Sequence, residues 1–273
     1  TAALIAMLVE EGKLRWDDRV IDHLPEFRMA DSWVTREFTV RDLVTHRSGL
    51  APYAGDLVML VEGKSTKPHV YRALAGLPAE TSFRTAYAYD NLLYIVAGDL
   101  IEKLTGETWE DVATKRILDP LGMSGCVADQ DRLRPDAKRA VAHDYASGKL
   151  TPVHFPLPRI TVAAGGIHCN AAGMAQWMSF NLRPDKRLKI NAAALEELFK
   201  PVTPIPVNPR ARQTTNTTYS AYGLGWLVQD AFGQRQVSHG GGLPGMVSWI
   251  SMFPDKGFGV MVMTNKTSSA AKA

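Results

Sequence analysis

Apolar letters crowd the opening of the chain. Thr1 to Val9 (TAALIAMLV) is apolar almost all round, a pattern that predicts a helix buried on every side. Glu10-Glu11-Gly12 follows, with Gly12 as the stop and Thr1 in the place of an N-cap. Phe38 to His46 predicts a short capped helix, Thr39 standing before it and Asp42 three residues on. Leu92 to Ile101 carries the strongest helical pattern, entered through Asp90 or Asn91 as cap and stopped at Gly106. Thr108-Trp109-Glu110-Asp111 opens a helix running to Leu118, and further helices are predicted over Ala171 to Leu182 and Ala192 to Phe199. Residues 51–80 are mixed, 124–162 are loop-rich with a hairpin turn at Ser147-Gly148-Lys149, and Pro201 to Thr218 reads as one long loop.

The last fifty residues change period. Tyr222 to Val228, Gln234 to Ser238, Met246 to Phe253 and Gly257 to Thr264 read as strands, and the short turns between them imply an antiparallel meander. Val260 to Met263 is apolar at every position, which predicts a strand covered on both faces, with the first helix as its cover. On this reading the two ends of the chain pack together. The fold class is α/β of the α+β type: an antiparallel sheet with helices on both faces. Residues 1–40 and 221–273 form a sheet-and-helix subdomain and 41–220 a mostly helical one, the two acting as one functional unit.

Composition narrows the function classes. The chain is 45% hydrophobic and 22% charged, ordinary for a globular protein. A net charge of +3 with no Lys/Arg block argues against nucleic acid as partner. No apolar run reaches membrane-spanning length, so no integral membrane segment is expected. Cys126 and Cys169 lack the paired spacing of a metal site and permit either redox compartment.

Candidate chemistry centres on Ser238-His239-Gly240-Gly241-Gly242-Leu243-Pro244-Gly245. Consecutive glycines leave backbone N–H groups uncovered, which suits an edge strand where a substrate lies against the backbone and a developing oxyanion needs donors. His239 beside them can carry charge or move protons near neutral pH. The alternative is a Gly-rich turn with a solvent-facing His. Gly240, Gly242 and Gly245 also spell Gly-x-Gly-x-x-Gly, but a dinucleotide loop must open a helix, and here Pro244 and a strand follow; no cofactor is expected. Tyr89 and Asn91 sit at a loop-to-helix junction, where side chains point at a cleft; the competing roles are a core aromatic for Tyr89 and a helix cap for Asn91. His46 reads as a structural His bonding backbone near the Gly49 turn. His168 and Cys169, being adjacent, would point to opposite faces of a strand, which argues against a catalytic pair. A metal site built from His46, His168 and His239 lacks ligand spacing, so no metal is expected. There is no Gly-x-Ser-x-Gly in the chain.

Several landmarks recur in one order: TAALIAMLVEEGKLRWDD, LVTHRSGL, YDN before a helix, LTGETWED, DPLGM, AAGGIHCNAAGMAQWM, YGLGW and HGGGLPG. In that order the chain resembles the serine β-lactamase-like hydrolases: class C β-lactamases, D-alanyl-D-alanine carboxypeptidases, D-aminopeptidases and related esterases. The resemblance covers essentially the whole chain. It implies acyl transfer through a covalent acyl-enzyme on a small ester, a lactam or a D-amino-acid peptide. Tyr89-Asp90-Asn91 matches the family's Tyr-x-Asn motif, and His239-Gly240-Gly241 the His-x-Gly variant of its edge-strand motif. The implied roles are Tyr89 as proton relay, Asn91 as holder of the substrate oxygen, His239 as partner of Tyr89 or of a substrate carboxylate, and Gly242 N–H as an oxyanion donor. Gly240, Gly241, Gly242 and Trp226 would line the substrate, together with the 201–218 loop. The nucleophile of Ser-x-x-Lys is expected upstream of Thr1; Ser269-x-x-Lys272 lies at the opposite terminus and reads as coincidence. His in place of Lys in the edge-strand motif favours an esterase or D-amino-acid peptidase over a β-lactamase. The resemblance favours a periplasmic or secreted setting, with a cytoplasmic one open. A non-catalytic peptide- or peptidoglycan-binding member of the fold is the main alternative.

Overall fold

The computed structural model describes residues 1–60, 65–134, 137–146 and 148–267. The opening helix is Ala2–Glu10, and Ala2 through Leu8 are all buried. Thr1 occupies the N-cap position, but its hydroxyl accepts no helix N–H and instead donates to the Ala163 carbonyl. Gly12 ends the helix with φ +70°, a left-handed conformation that glycine adopts without penalty. The helix packs against the helices Ala192–Leu198 and Leu92–Thr105, so its all-round hydrophobicity is met by other helices.

Among the described residues ten strands form three antiparallel sheets. β1 (Cys126–Val127) pairs with β4 (His168–Cys169), and β2 (His143–Ala146) with β3 (Lys149–Pro152) around the turn predicted at Gly148. Ser147 of that turn lies outside the described residues. β5 (Thr203–Pro204), β6 (Ser220–Tyr222), β7 (Leu227–Ala231), β8 (Gln234–Leu243), β9 (Met246–Phe253) and β10 (Phe258–Thr264) form the main sheet, ordered β10-β9-β8-β7-β6-β5. The meander expected for the last quarter of the chain is present, and with its helices the fold is of the α+β type.

Three expectations are corrected. Tyr222 to Val228 is a hairpin corner instead of one strand: β6 ends at Tyr222 and β7 begins at Leu227, with the Gly223 N–H bonded to the Trp226 carbonyl at 2.7 Å. Both glycines of the corner are required. Gly225 has φ +86°, and a Cβ at Gly223 would lie 2.6 Å from the Leu198 carbonyl oxygen. Pro201 to Thr218 is not one loop; it holds β5 and the helix Pro209–Thr215, which Asn208 caps by accepting the Arg210 N–H. Among the described residues β10 is not covered on both faces. It is the outer strand of the sheet, with Val260, Val262 and Met263 exposed by 47, 39 and 42%. The helix that packs on it is Ala171–Leu182, close enough that a Cβ at Gly259 would meet Met178 Sδ at 2.6 Å. The opening helix is therefore not the cover of β10; it packs among other helices and meets the last part of the chain at Gly225.

Cys126 and Cys169, directly paired across β1 and β4, form a disulfide with Cα atoms 4.1 Å apart. A Cβ at Gly173 would lie 2.2 Å from Cys126 Sγ, so the bridge is pressed against the start of the helix Ala171–Leu182.

Candidate active site

β8 runs unbroken through the glycines. Its first half pairs with β7 only as far as Ser238, opposite Leu227. His239 to Leu243 pair with β9, and β7 does not reach along this half of β8 on its other side. In an antiparallel strand alternate N–H groups face away from a given neighbour, so donors along 239–243 are directed off the sheet. The three glycines differ in what demands them. A Cβ at Gly240 would lie 2.8 and 2.9 Å from ring carbons of Trp249, and one at Gly241 2.5 Å from Ser248 Oγ. A Cβ at Gly242 would have nothing within 4 Å, so on this side of the strand there is open space. Pro244 and Gly245 close the hairpin to β9, Gly245 with φ +79°.

Tyr89 and Asn91 arrive from the segment before the helix Leu92–Thr105. Asp90 Oδ1 accepts the Leu92 N–H at 2.9 Å, so Asp90 meets the capping need and the Asn91 side chain makes no cap bond. Asn91 Nδ2 instead donates to Asp56 Oδ2 at 2.8 Å. An acidic partner fixes which end of the amide is the donor, leaving Asn91 Oδ1 as the acceptor. The Tyr89 carbonyl accepts the Tyr53 N–H at 2.7 Å, and the two rings lie 5.4 Å apart.

The structure brings Tyr89 and His239 together, with ring centroids 6.4 Å apart. Tyr222, from the end of β6, completes the arrangement: its hydroxyl and His239 Nε2 are 2.9 Å apart. Beneath them lies His46, 1% exposed, with the rings of Tyr89, Tyr222, Tyr94 and Tyr87 at 4.3, 4.6, 5.2 and 5.9 Å. His46 does bond backbone, but that of Asp90 instead of the Gly49 turn: its Nδ1 accepts the Asp90 N–H at 3.1 Å. The opening helix starts under this layer, since a Cβ at Gly225 would sit 3.2 Å from Ala2 Cβ and 3.4 Å from Tyr94 Oη.

Burial dominates the electrostatics. It pushes the Tyr89 phenol up to about 12, with the charges of Tyr53 and Asp56 adding to the effect. It raises Tyr222 well above the ordinary phenol value. Burial, and next the neighbouring His239, drive His46 down to about 3. Asp90 rises to about 7 through burial, opposed by the backbone N–H groups it accepts, and Asp56 is raised by burial against its bond from Asn91. At neutral pH the centre therefore holds protonated phenols and a neutral His46. Among the described residues no three His, Cys, Asp or Glu side chains converge as a metal-ligand set.

A buried carboxylate braces the loop that carries His46. Asp42, fully buried, accepts from the Thr39 N–H and hydroxyl at 2.9 and 2.7 Å, from Arg47 Nε at 2.8 Å, and from Arg84 Nε and Nη2 at 3.1 and 2.6 Å. It ties the capping box of the helix Val40–Leu43 to the segment leading to Tyr89.

Other sequence candidates lie elsewhere. Trp226 is 6% exposed and packs edge-on against Phe199 at 5.8 Å, which makes it a core residue and not a wall of a cleft. His168 Nδ1 lies 3.0 Å from the Gly166 carbonyl, and the sulfur of Cys169 is spent in the disulfide, so that pair has no thiol to activate. Ser269 and Lys272 lie outside the described residues. Tyr222 and Asp56 were not foreseen. Tyr222 stood inside the YGLGW motif, but only the strand register carries it under His239. Asp56 had no signal in its surroundings.

Comparison with known proteins gives the family and the fold. The chain is 29% identical to the protein described as unguisins hydrolase ungD' of Aspergillus campestris, a match over 99% of the chain and 51% of that protein. It is 28% identical to penicillin-binding protein 4 of Amycolatopsis lactamdurans, over 97% of the chain and 69% of the relative. The chain thus spans about half the length of the first of these relatives. Its fold superposes on an octameric penicillin-binding protein homologue from Pyrococcus abyssi with a TM-score of 0.82 at 24% identity, covering 97% of the chain and 59% of the other. It superposes on the D-amino acid amidase of Ochrobactrum anthropi SV3 at 0.76 and 21%, covering 97 and 73%. The sequence model of the Beta-lactamase family matches residues 1–273, and the chain belongs to that family of serine hydrolases.

Proposed function

We propose that the protein hydrolyses a small ester or a D-amino-acid amide through a covalent acyl-enzyme, at the cleft where Tyr89 faces His239 beside Gly240 to Gly242. The observation that carries this reading is the 6.4 Å approach of the two rings next to a strand segment left unpaired by β7. The names of similar proteins, a hydrolase and D-amino-acid-specific amidases, support amide or ester chemistry.

The nucleophile is the serine of a Ser-x-x-Lys motif that the resemblance puts ahead of Thr1. Its Oγ attacks the substrate carbonyl carbon and its proton passes to the lysine. The oxyanion so formed lies against the N–H of Gly242, on the edge of β8 that β7 leaves unpaired, and against the N–H of the serine. Tyr89, protonated at neutral pH, gives its proton to the leaving amine or alkoxide and is reprotonated from the lysine side. Water then attacks the acyl carbonyl, the carbon–Oγ bond breaks as the proton from the water is relayed to the serine Oγ, and the acid leaves. A phenol pushed this high acts as a base only beside a cation, which is the part the lysine plays. Asn91, oriented by Asp56, presents its Oδ1 to that ammonium. The Tyr222 hydroxyl and His239 Nε2, hydrogen-bonded at 2.9 Å, hold the far wall.

The test is turnover by the full-length gene product of p-nitrophenyl esters, D-phenylalanine amide and a chromogenic cephalosporin. Hydrolysis of the first two, lost in Tyr89→Phe, supports the reading. Faster turnover of the cephalosporin than of either would make it a β-lactamase, and peptide binding without turnover would make it a binding protein.

A further inference from the structure

His46 stands one layer behind the proposed chemistry. Its backbone is left-handed, φ +53°, a conformation in which His, Asn and Asp are over-represented among non-glycine residues. Two of its atoms grip the segment bearing Tyr89, one on each neighbour of that residue. The His46 carbonyl accepts the Ala88 N–H at 2.9 Å, and its ring Nδ1 accepts the Asp90 N–H at 3.1 Å. Tyr89 lies between these two amides, and its ring covers the imidazole at 4.3 Å with the planes 35° apart. Both contacts depend on the left-handed backbone, which lets the main-chain oxygen and the ring nitrogen of one residue reach alternate amides of another segment.

The bond to Nδ1 also settles the ring's protonation. A nitrogen that accepts an N–H carries no proton, so the proton of the neutral ring is on Nε2. That atom is buried with no hydrogen-bond partner among the described residues. A second proton would have to go to Nδ1 and would break the grip on Asp90. An arrangement with one satisfied and one idle ring nitrogen is poor as a relay and good as a fixed brace.

We propose that His46 is the positioning residue for Tyr89: it sets the phenol opposite His239 by clamping Ala88 and Asp90, and takes no part in proton transfer itself. This rests on the hydrolase reading above as far as catalysis goes, but the clamp can be measured without turnover. Asn at this position accepts the left-handed backbone and places Oδ1 close to where Nδ1 lies. Phe keeps the ring and loses the acceptor.

The experiment compares wild type with His46→Asn and His46→Phe. Amide hydrogen exchange read by NMR comes first, on the chain as it stands. Asp90 is expected to be protected in wild type and His46→Asn and to exchange freely in His46→Phe, while amides within Leu92–Thr105 keep their protection in all three. The ¹⁵N signals of the His46 ring are expected to show a bare Nδ1 and a protonated Nε2, unchanged from about pH 5 to about pH 9. In the full-length enzyme, His46→Phe is expected to lower kcat on the order of a hundredfold with KM within about twofold, as for a misplaced catalytic group, and His46→Asn to restore most of it. Asp90 protection intact in His46→Phe, failure of His46→Asn to protect Asp90, or a His46 ring that titrates in that window would each overturn the proposal. Protection lost throughout Leu92–Thr105 would reduce His46 to a general packing residue and overturn it too. A wild-type enzyme without turnover would defeat the hydrolase reading alone and leave the exchange data to decide the clamp.

Discussion

Replacing Asp42 by Asn tests whether the loop under the site is held electrostatically. The carboxylate is fully buried, and both oxygens are in use. Oδ2 takes the Thr39 N–H, the Thr39 hydroxyl and Arg84 Nη2; Oδ1 takes Arg47 Nε and Arg84 Nε. An amide has one acceptor end, so either orientation turns an NH₂ group toward donors and leaves two guanidiniums facing a neutral group. Removing one member of a buried ion pair costs about 3–5 kcal/mol. The Arg47 and Arg84 side chains are 18 and 35% exposed and so recover some hydration, which argues for the lower end, about 3 kcal/mol. At roughly 2–4 °C per kcal/mol for a chain of this order, the melting temperature should fall by about 6–12 °C. The pH dependence has a definite sign. Hydrogen bonds and charge from Arg84, Arg47 and Thr39 outweigh burial and hold the Asp42 carboxyl below its ordinary value. Its contribution is therefore complete above the unfolded-state value of about 3.9 and fades as pH falls through the lower folded value. Urea denaturation of wild type and Asp42→Asn between about pH 2 and pH 7 would show the gap closing only in acid. A loss under about 1 kcal/mol at pH 7, or a gap that widens in acid, would refute this account of the brace.

Other perturbations reach the remaining parts of the argument. Gly240→Ala drives a Cβ into the Trp249 ring, so it should cost about 1–3 kcal/mol in thermal unfolding, while Gly242→Ala, with open space before it, should leave stability within about 0.5 kcal/mol. Reducing the disulfide, whose cysteines are 43 residues apart, should lower stability by roughly 4 kcal/mol on the chain-entropy estimate, read as a melting shift with dithiothreitol. Asp90 has its folded value raised to about 7, so the native state holds a proton the unfolded chain releases, and stability from this group is lost as pH rises from about 4 to about 7. Asp90→Asn, which keeps an acceptor for Leu92, should flatten that part of the stability curve.

What the sequence discloses is mostly local. The Thr39/Asp42 capping box and the stop at Gly106 after Leu92–Thr105 each rest on a few neighbouring side chains, and each is present, whereas the strand expected to end at Ser238 runs on through the glycines to Leu243. The pairing of Tyr89 with His239 came from a family resemblance, since nothing within either segment says they meet. Tyr222 and Asp56 are set by register and by the path of a short 3₁₀ turn, and neither leaves a periodic trace. Val260 to Met263 misled because an unbroken apolar run records what a strand can tolerate and not which neighbours it has. Trp226 misled for the opposite reason: an aromatic in a Gly-rich motif looks like a ligand platform until Phe199 is seen against its edge.

The most direct measurement is intact-mass analysis of the full-length gene product after exposure to a fluorophosphonate, with peptide mapping of the label. The account predicts a single adduct on the serine of a Ser-x-x-Lys motif ahead of Thr1, formed far more slowly in Tyr89→Phe. Absence of an adduct, or a label on any serine within residues 1–273, would contradict it.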